Sequence, residues 1–134
     1  MKDENPQQLK KERQKGRRIA VVGVSQDPQK KGHQIFVDLL HSGYEVVGVH
    51  PQGGEVEGQA LFSSLKQIHP LPEMVITVVP PPVTESIVRQ CIELGISHIW
   101  MQPGSESPNA LQVAQQAGLE VVSSACFMKD QHLW

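Results

Sequence analysis

A chain of 134 residues, 39% of them apolar, is long enough to bury one core without covalent staples. Its only cysteines, Cys91 and Cys126, exclude a disulfide framework and a four-cysteine zinc site, and they fit a reducing compartment. The net charge of −2 conceals an asymmetry: residues 1–31 hold nine of the twelve Lys and Arg against four carboxylates, a surplus of +5, while the remainder carries −7.

The amino terminus, MKDENPQQLKKERQKGRR, lacks the apolar stretch of a signal peptide. No later segment approaches the ~18 uninterrupted apolar residues of a membrane span, so a soluble, cytoplasmic chain is expected. Residues 1–17 read as a basic helical segment, with the helix over about residues 6–15 and its Lys and Arg on a solvated face. Residues 18–134 read as one domain. The six aromatic residues are too scattered to form a base-stacking platform, which argues against nucleic acid.

Residues 19–24, IAVVGV, predict a buried strand that runs into a glycine turn. The dinucleotide pattern G-x-G-x-x-G is met at Gly23 but broken at Ser25 and Pro28, and the next glycine, Gly32, follows Lys30 and Lys31. That loop is suited to an anion, through backbone amides, the Ser25 hydroxyl and two ammonium groups. A helix over about residues 32–42 follows, with Ile35, Phe36, Leu39 and Leu40 on one face, and a second strand covers residues 45–49. After the break at His50, Pro51 and a polar excursion, a short helix is expected near residues 64–68 and a third strand at 74–79, stopped by Pro80, Pro81 and Pro82. The unit then repeats: a helix over about 84–94, a strand at 96–101, the turn Gln102-Pro103-Gly104, a helix started by Ser107 and Pro108 and ended at Gly118, and a strand at 119–122. Alternation of this kind predicts an α/β, Rossmann-like, doubly wound parallel sheet of five strands.

Ligands of such sheets bind outside the carboxyl ends of the strands, and the unusual segments fall there. They are Gly23-Val24-Ser25, His50-Pro51, Val79-Pro80-Pro81, Met101-Gln102-Pro103-Gly104 and residues 123–126. A dinucleotide site needs an acidic residue at the end of the second strand to hold the ribose, and His50-Pro51 stands there instead. NAD(P) is therefore disfavoured, and a phosphate-rich nucleotide without that anchor fits better.

With these segments in order, the chain resembles the small stand-alone CoA-binding domain proteins, relatives of the amino-terminal domain of the succinyl-CoA synthetase alpha subunit. The resemblance spans about residues 18–126 and rests on GVSQDPQKKG, GYEVVGVHP, VVPPPVTESI and WMQPG. It implies that coenzyme A is the ligand. Gly23, Val24, Ser25, Gln26 and the following Lys30, Lys31 and Gly32 would meet its phosphates, His50 and Pro51 would border the nucleotide, and Val79, Pro80 and Pro81 would wall the adenine. Met101, Gln102, Pro103 and Gly104 would lie beside the pantetheine arm. The chain departs from the family at His50, where Asn is usual, at Gly53, where the synthetase domain has a lysine for the ribose phosphate, and at Ala125, which replaces an arginine. Lys30 or Lys31 is expected to supply the missing charge.

The resemblance also implies that ligase machinery, including a phosphorylated histidine, lies in a following domain, so a CoA or acyl-CoA binding protein without ligase activity is the leading expectation: a sensor, a carrier or an accessory module, with a protein partner or self-association open. An enzyme using Cys126 as nucleophile is the alternative. His33, at the start of the first helix, is expected to donate a hydrogen bond to phosphate, and no histidine has a partner at metal-ligand spacing.

Overall fold

The computed structural model describes residues 14–134. The expected basic helix over residues 6–15 lies outside the described residues except for Gln14 and Lys15, which are not helical. Gln14 is nevertheless fully buried, and its backbone N–H donates to Gln131 Oε1 at 2.9 Å.

Five strands, β1 (Arg18–Val22), β2 (Glu45–Val49), β5 (Met74–Thr77), β6 (His98–Met101) and β7 (Glu120–Val122), form one sheet in the order β2-β1-β5-β6-β7. Every pairing in it is parallel; Ile19, for example, lies opposite Val46 on one side and Met74 on the other. Between β2 and β5 the polar excursion contains a two-stranded antiparallel hairpin, β3 (Glu55–Val56) and β4 (Gln59–Ala60), and a single 3-10 turn at Leu65–Gln67. Four helices complete the described chain: α1 (Lys31–His41), α2 (Pro81–Leu94), α3 (Pro108–Gln116) and α4 (Phe127–Asp130).

The two-residue alternation along β1 explains why helices cover both faces. Ile19 and Val21 join Met74, Ile76, Trp100 and Val122 in one apolar layer, beneath Ile35, Phe36 and Leu39 of α1 and Phe127 of α4. Ala20 and Val22 project the other way, into a layer with Val75, Ile99 and Met101 that Val88 and Cys91 of α2 and Ala110 and Ala114 of α3 close. Each large side chain taken wholly from water here contributes about 1.5–3 kcal/mol.

From residue 18 onward the expected strands and helices are present, the short helix near residues 64–68 only as a 3-10 turn, and three differences are instructive. The first strand ends at Val22 rather than residue 24, because the chain turns at Gly23, whose φ is +108°. The proline run does not merely stop the third strand: α2 begins at Pro81, since a helix's first-turn N–H groups have no internal partners and proline there loses nothing. The hairpin and α4 were not expected from the sequence at all. Ser107 does cap α3, its Oγ accepting from the Ala110 N–H at 3.0 Å.

Candidate functional site

The chain leaves β1 for β2 on one side and later passes to β5 on the other, so the order reverses between β1 and β5. A crevice must open beyond their carboxyl ends. A cleft of about 620 Å³ lies there, and a second of about 470 Å³ adjoins it, the two sharing Lys31, Val78, Val79 and Pro80 as a common wall.

The rim of the first cleft is built by a close approach of two backbones. Gly23 is hydrogen-bonded through its N–H to the Val49 carbonyl at 3.0 Å, and a Cβ on it would sit 2.3 Å from the Val78 carbonyl oxygen. A Cβ on Gly32 would in turn lie 2.0 Å from the Gly23 carbonyl oxygen. Gly32 thus brings the first turn of α1 against the end of β1, the same close packing that the last glycine provides in a dinucleotide fingerprint, although the spacing differs.

The loop between them is internally held. Ser25 Oγ accepts from the Asp27 N–H at 3.0 Å, Asp27 Oδ1 from the Gln29 N–H at 2.9 Å, and the Asp27 carbonyl from the Lys30 N–H at 3.0 Å. Ser25 keeps its hydroxyl proton to donate outward. Lys30 and Lys31 then stand at the start of α1, where the helix dipole and unpaired N–H groups add to two ammonium charges, and among the described residues no carboxylate lines this cleft. His50, also on its wall, accepts from the Gln52 N–H through Nδ1 at 3.1 Å, which places the ring proton on Nε2.

Of the residues singled out from sequence, Gly23, Ser25, Lys30, Lys31, Gly32, His50, Pro51, Val79 and Pro80 line the first cleft, and Gln102, Pro103 and Gly104 line the second. Four are placed differently. Val24 and Met101 are wholly buried in the two core layers and line neither cleft. Pro81 is exposed at the start of α2 and lines neither cleft. Gln26 instead accepts from the Glu55 N–H at 2.9 Å, tying the loop to the β3–β4 hairpin, and it borders a smaller recess of about 300 Å³ with Ser25 and His50. His33, expected as a phosphate donor, spends Nδ1 on the Ser25 carbonyl at 2.7 Å, and so braces the loop.

Cys126 lines the second cleft, and three anchors hold the residues on either side of it. Trp100 Nε1 donates to the Ala125 carbonyl at 2.8 Å, Gln102 Oε1 accepts from the Phe127 N–H at 2.6 Å, and the Phe127 ring packs edge-on against Trp100 at 5.0 Å. Gln102 Nε2 also approaches Cys126 Sγ at 3.5 Å. Partial burial alone would push the Cys126 thiol up, but the Gln102 amide, the backbone N–H groups of Lys129 and Met128 and the Lys129 ammonium together hold it below the ordinary thiol range. Cys91, in the core, is pushed up to about 12 by burial. Mild alkylation with iodoacetamide near neutral pH is therefore expected to modify Cys126 alone, with Cys91 reacting only on unfolding; peptide mass spectrometry reads the difference, and equal labelling of the two would contradict the site.

Sequence reasoning missed Trp134, which lines the second cleft, donates through Nε1 to Asp38 Oδ2 at 2.7 Å and carries Lys31 Nζ over its ring at 5.2 Å. No pattern pointed to it, since an aromatic residue 96 positions from its acceptor gives no local signal. Among the described residues no group of three or more His, Cys, Asp or Glu could hold a metal ion, and no helix is long and apolar enough to cross a membrane.

The family model described as "CoA binding domain" matches residues 17–131. The protein YneT of Bacillus subtilis is 27% identical over 126 residues, covering 94% of this chain and 93% of the relative. The alpha subunit of acetate–CoA ligase (ADP-forming) II of Pyrococcus furiosus is 26% identical over 121 residues; the match takes in 82% of this chain but only 26% of that subunit. Among solved structures, a conserved hypothetical protein from Pyrococcus furiosus superposes with a TM-score of 0.81 at 35% identity, covering 85% of this chain and 98% of that one.

Proposed function

This chain belongs to the CoA-binding domain family, and on that premise we propose that it binds coenzyme A or an acyl-CoA across its two adjoining clefts, as a cytoplasmic binding module without ligation chemistry of its own. The observation that carries this reading is the shared wall. One cleft offers basic groups at a helix start and apolar slabs, the other is lined by Gln102, Pro103, Gly104 and Cys126, and Lys31, Val78, Val79 and Pro80 belong to both. A ligand with a charged nucleotide head and a long, flexible, neutral arm matches that division; a dinucleotide, with a second charged and heterocyclic half, does not. In this reading the diphosphate meets the Gly23–Ser25 turn and the start of α1, the adenine lies against Val79 and Pro80, and the pantetheine arm runs past Gln102, Pro103 and Gly104.

Thermal denaturation with CoA, acetyl-CoA, NAD and NADP tests it. A ligand at 100 times its Kd stabilises the native state by about 2.7 kcal/mol, a shift of several degrees in a domain of this size. The expected result is a shift with CoA and acetyl-CoA and none with NAD or NADP; the opposite pattern would overturn the reading.

A second reading has one observation in its favour, the lowered thiol of Cys126 in the lining of the second cleft. In it Cys126 acts as a nucleophile on a bound thioester, taking the acyl group as CoA thiolate leaves. Transfer of a radiolabelled acetyl group from acetyl-CoA to the wild-type chain, and its loss in Cys126→Ser, would favour the enzyme over the module.

A further inference from the structure

Among the described residues Lys31 is the only ionisable side chain that lines both clefts, and its ammonium is already engaged on one side. Nζ lies 5.2 Å from the centre of the Trp134 ring, and that ring lines the second cleft but not the first. The indole is held independently of Lys31. Its Nε1 donates to Asp38 Oδ2 at 2.7 Å, while the N–H groups of Leu133 and Trp134 both donate to the Met128 carbonyl, at 2.8 and 3.3 Å. Leu133 in turn packs against the core layer that α1 covers. Lys31 is therefore the movable member of the pair, an exposed ammonium on a flexible four-carbon stem set against an anchored ring.

We propose that Trp134 is a latch on Lys31, holding the ammonium on the second-cleft side until an anion in the first cleft draws it away, an inference that rests on the CoA reading and adds a regulation of that site. The two positions exclude each other. One ammonium cannot sit over the indole and against a phosphate at the Gly23–Ser25 turn together, so the anion binds only by breaking the contact with the ring. A charge-assisted bond to phosphate is stronger than an exposed cation–π contact, so the anion prevails, at an affinity lowered by the contact it displaces. The same movement clears a charge from the cleft assigned to the neutral arm. The diphosphate head thus prepares the second cleft, and the arm follows it.

Calorimetric titration of the full chain with ADP, which carries the diphosphate head without the arm, tests the latch in wild type, Trp134→Leu, Lys31→Gln and the double variant. Trp134→Leu is expected to bind ADP about two- to fivefold more tightly than wild type, the affinity equivalent of one exposed cation–π contact. In the Lys31→Gln background the same change should have no effect, because there is no ammonium to release. Trp134 and Lys31 are both exposed, so neither change opens a core cavity, and melting temperatures near that of wild type confirm folding. Unchanged or weaker ADP binding by Trp134→Leu overturns the latch, as does equal tightening with and without Lys31. Binding of CoA by wild type without binding of ADP also overturns it, since the head alone must move Lys31. Failure of wild type to bind either ligand would instead remove the underlying reading, and the latch with it.

Discussion

Replacing Gly32 with alanine should lower the melting temperature by about 10 °C or more and abolish ligand binding with it. The new Cβ would lie 2.0 Å from the Gly23 carbonyl oxygen and 2.9 Å from its carbon, and neither can swing aside as a side chain would. Gly23 is fixed in turn, with its N–H and that of Val24 both on the Val49 carbonyl at 3.0 and 3.2 Å, and Val78 on its other flank. Relief therefore requires α1 to move off the sheet, opening the layer formed by Ile35, Phe36 and Leu39. Overpacking with a mobile neighbour costs about 1–3 kcal/mol, so a clash between two backbones should reach about 3 kcal/mol. Gly16→Ala is the control: nothing lies within 4 Å of its added Cβ, and the change should stay within about 0.5 kcal/mol. If Gly32→Ala melts within about 2 °C of wild type, the close approach is not what holds this turn.

The double change Lys30→Gln, Lys31→Gln is expected to raise the Kd for CoA about 100-fold and to leave the fold intact. Each ammonium bound to a phosphate oxygen contributes on the order of 1.5 kcal/mol, about tenfold in affinity, and among the described residues no other Lys or Arg lines the cleft. The salt dependence should change as well. Wild-type affinity should fall as ionic strength rises and the variant's should fall less, because screening acts on a charge pair that the variant lacks. Calorimetry at two salt concentrations reads both effects. Should the double variant bind CoA within about threefold of wild type at low salt, the backbone N–H groups of the turn and of α1 carry the phosphates, and the lysines would be ordinary solvated residues.

These two experiments separate the parts of the site that local sequence could and could not reveal. The turn, the lysine pair and Pro80 after β5 were legible as cleft-lining residues because each is a local device: a glycine where the backbone reverses, a charge at a helix start, a residue that cannot pair in a strand. Gln26, Met101 and Val24 line neither of the two clefts, for the complementary reason. Their positions beside site residues say nothing about which way a side chain turns, and two of them point into the core while the third braces a hairpin. Ser86 and Gln90 read as ordinary polar positions of an amphipathic helix, and only the placement of α2 over the crevice brings them into the lining of the first cleft.

The sequence by itself determined the layers of this protein. Alternating strand residues and i, i+4 helix faces dictate which side chains leave water, and burial of apolar surface is insensitive to the finer details of contact. The missing glycines at Ser25 and Pro28 and the absent acidic anchor at His50 likewise argued against a dinucleotide without any coordinates. What only the tertiary structure decided were the contacts between distant segments: Gly32 against Gly23, Trp134 against Asp38 and Lys31, Gln102 between Cys126 and Phe127. Backbone clashes and hydrogen bonds change sign or vanish over about an ångström, so they are fixed only when the whole sheet has set the relative positions of its ends.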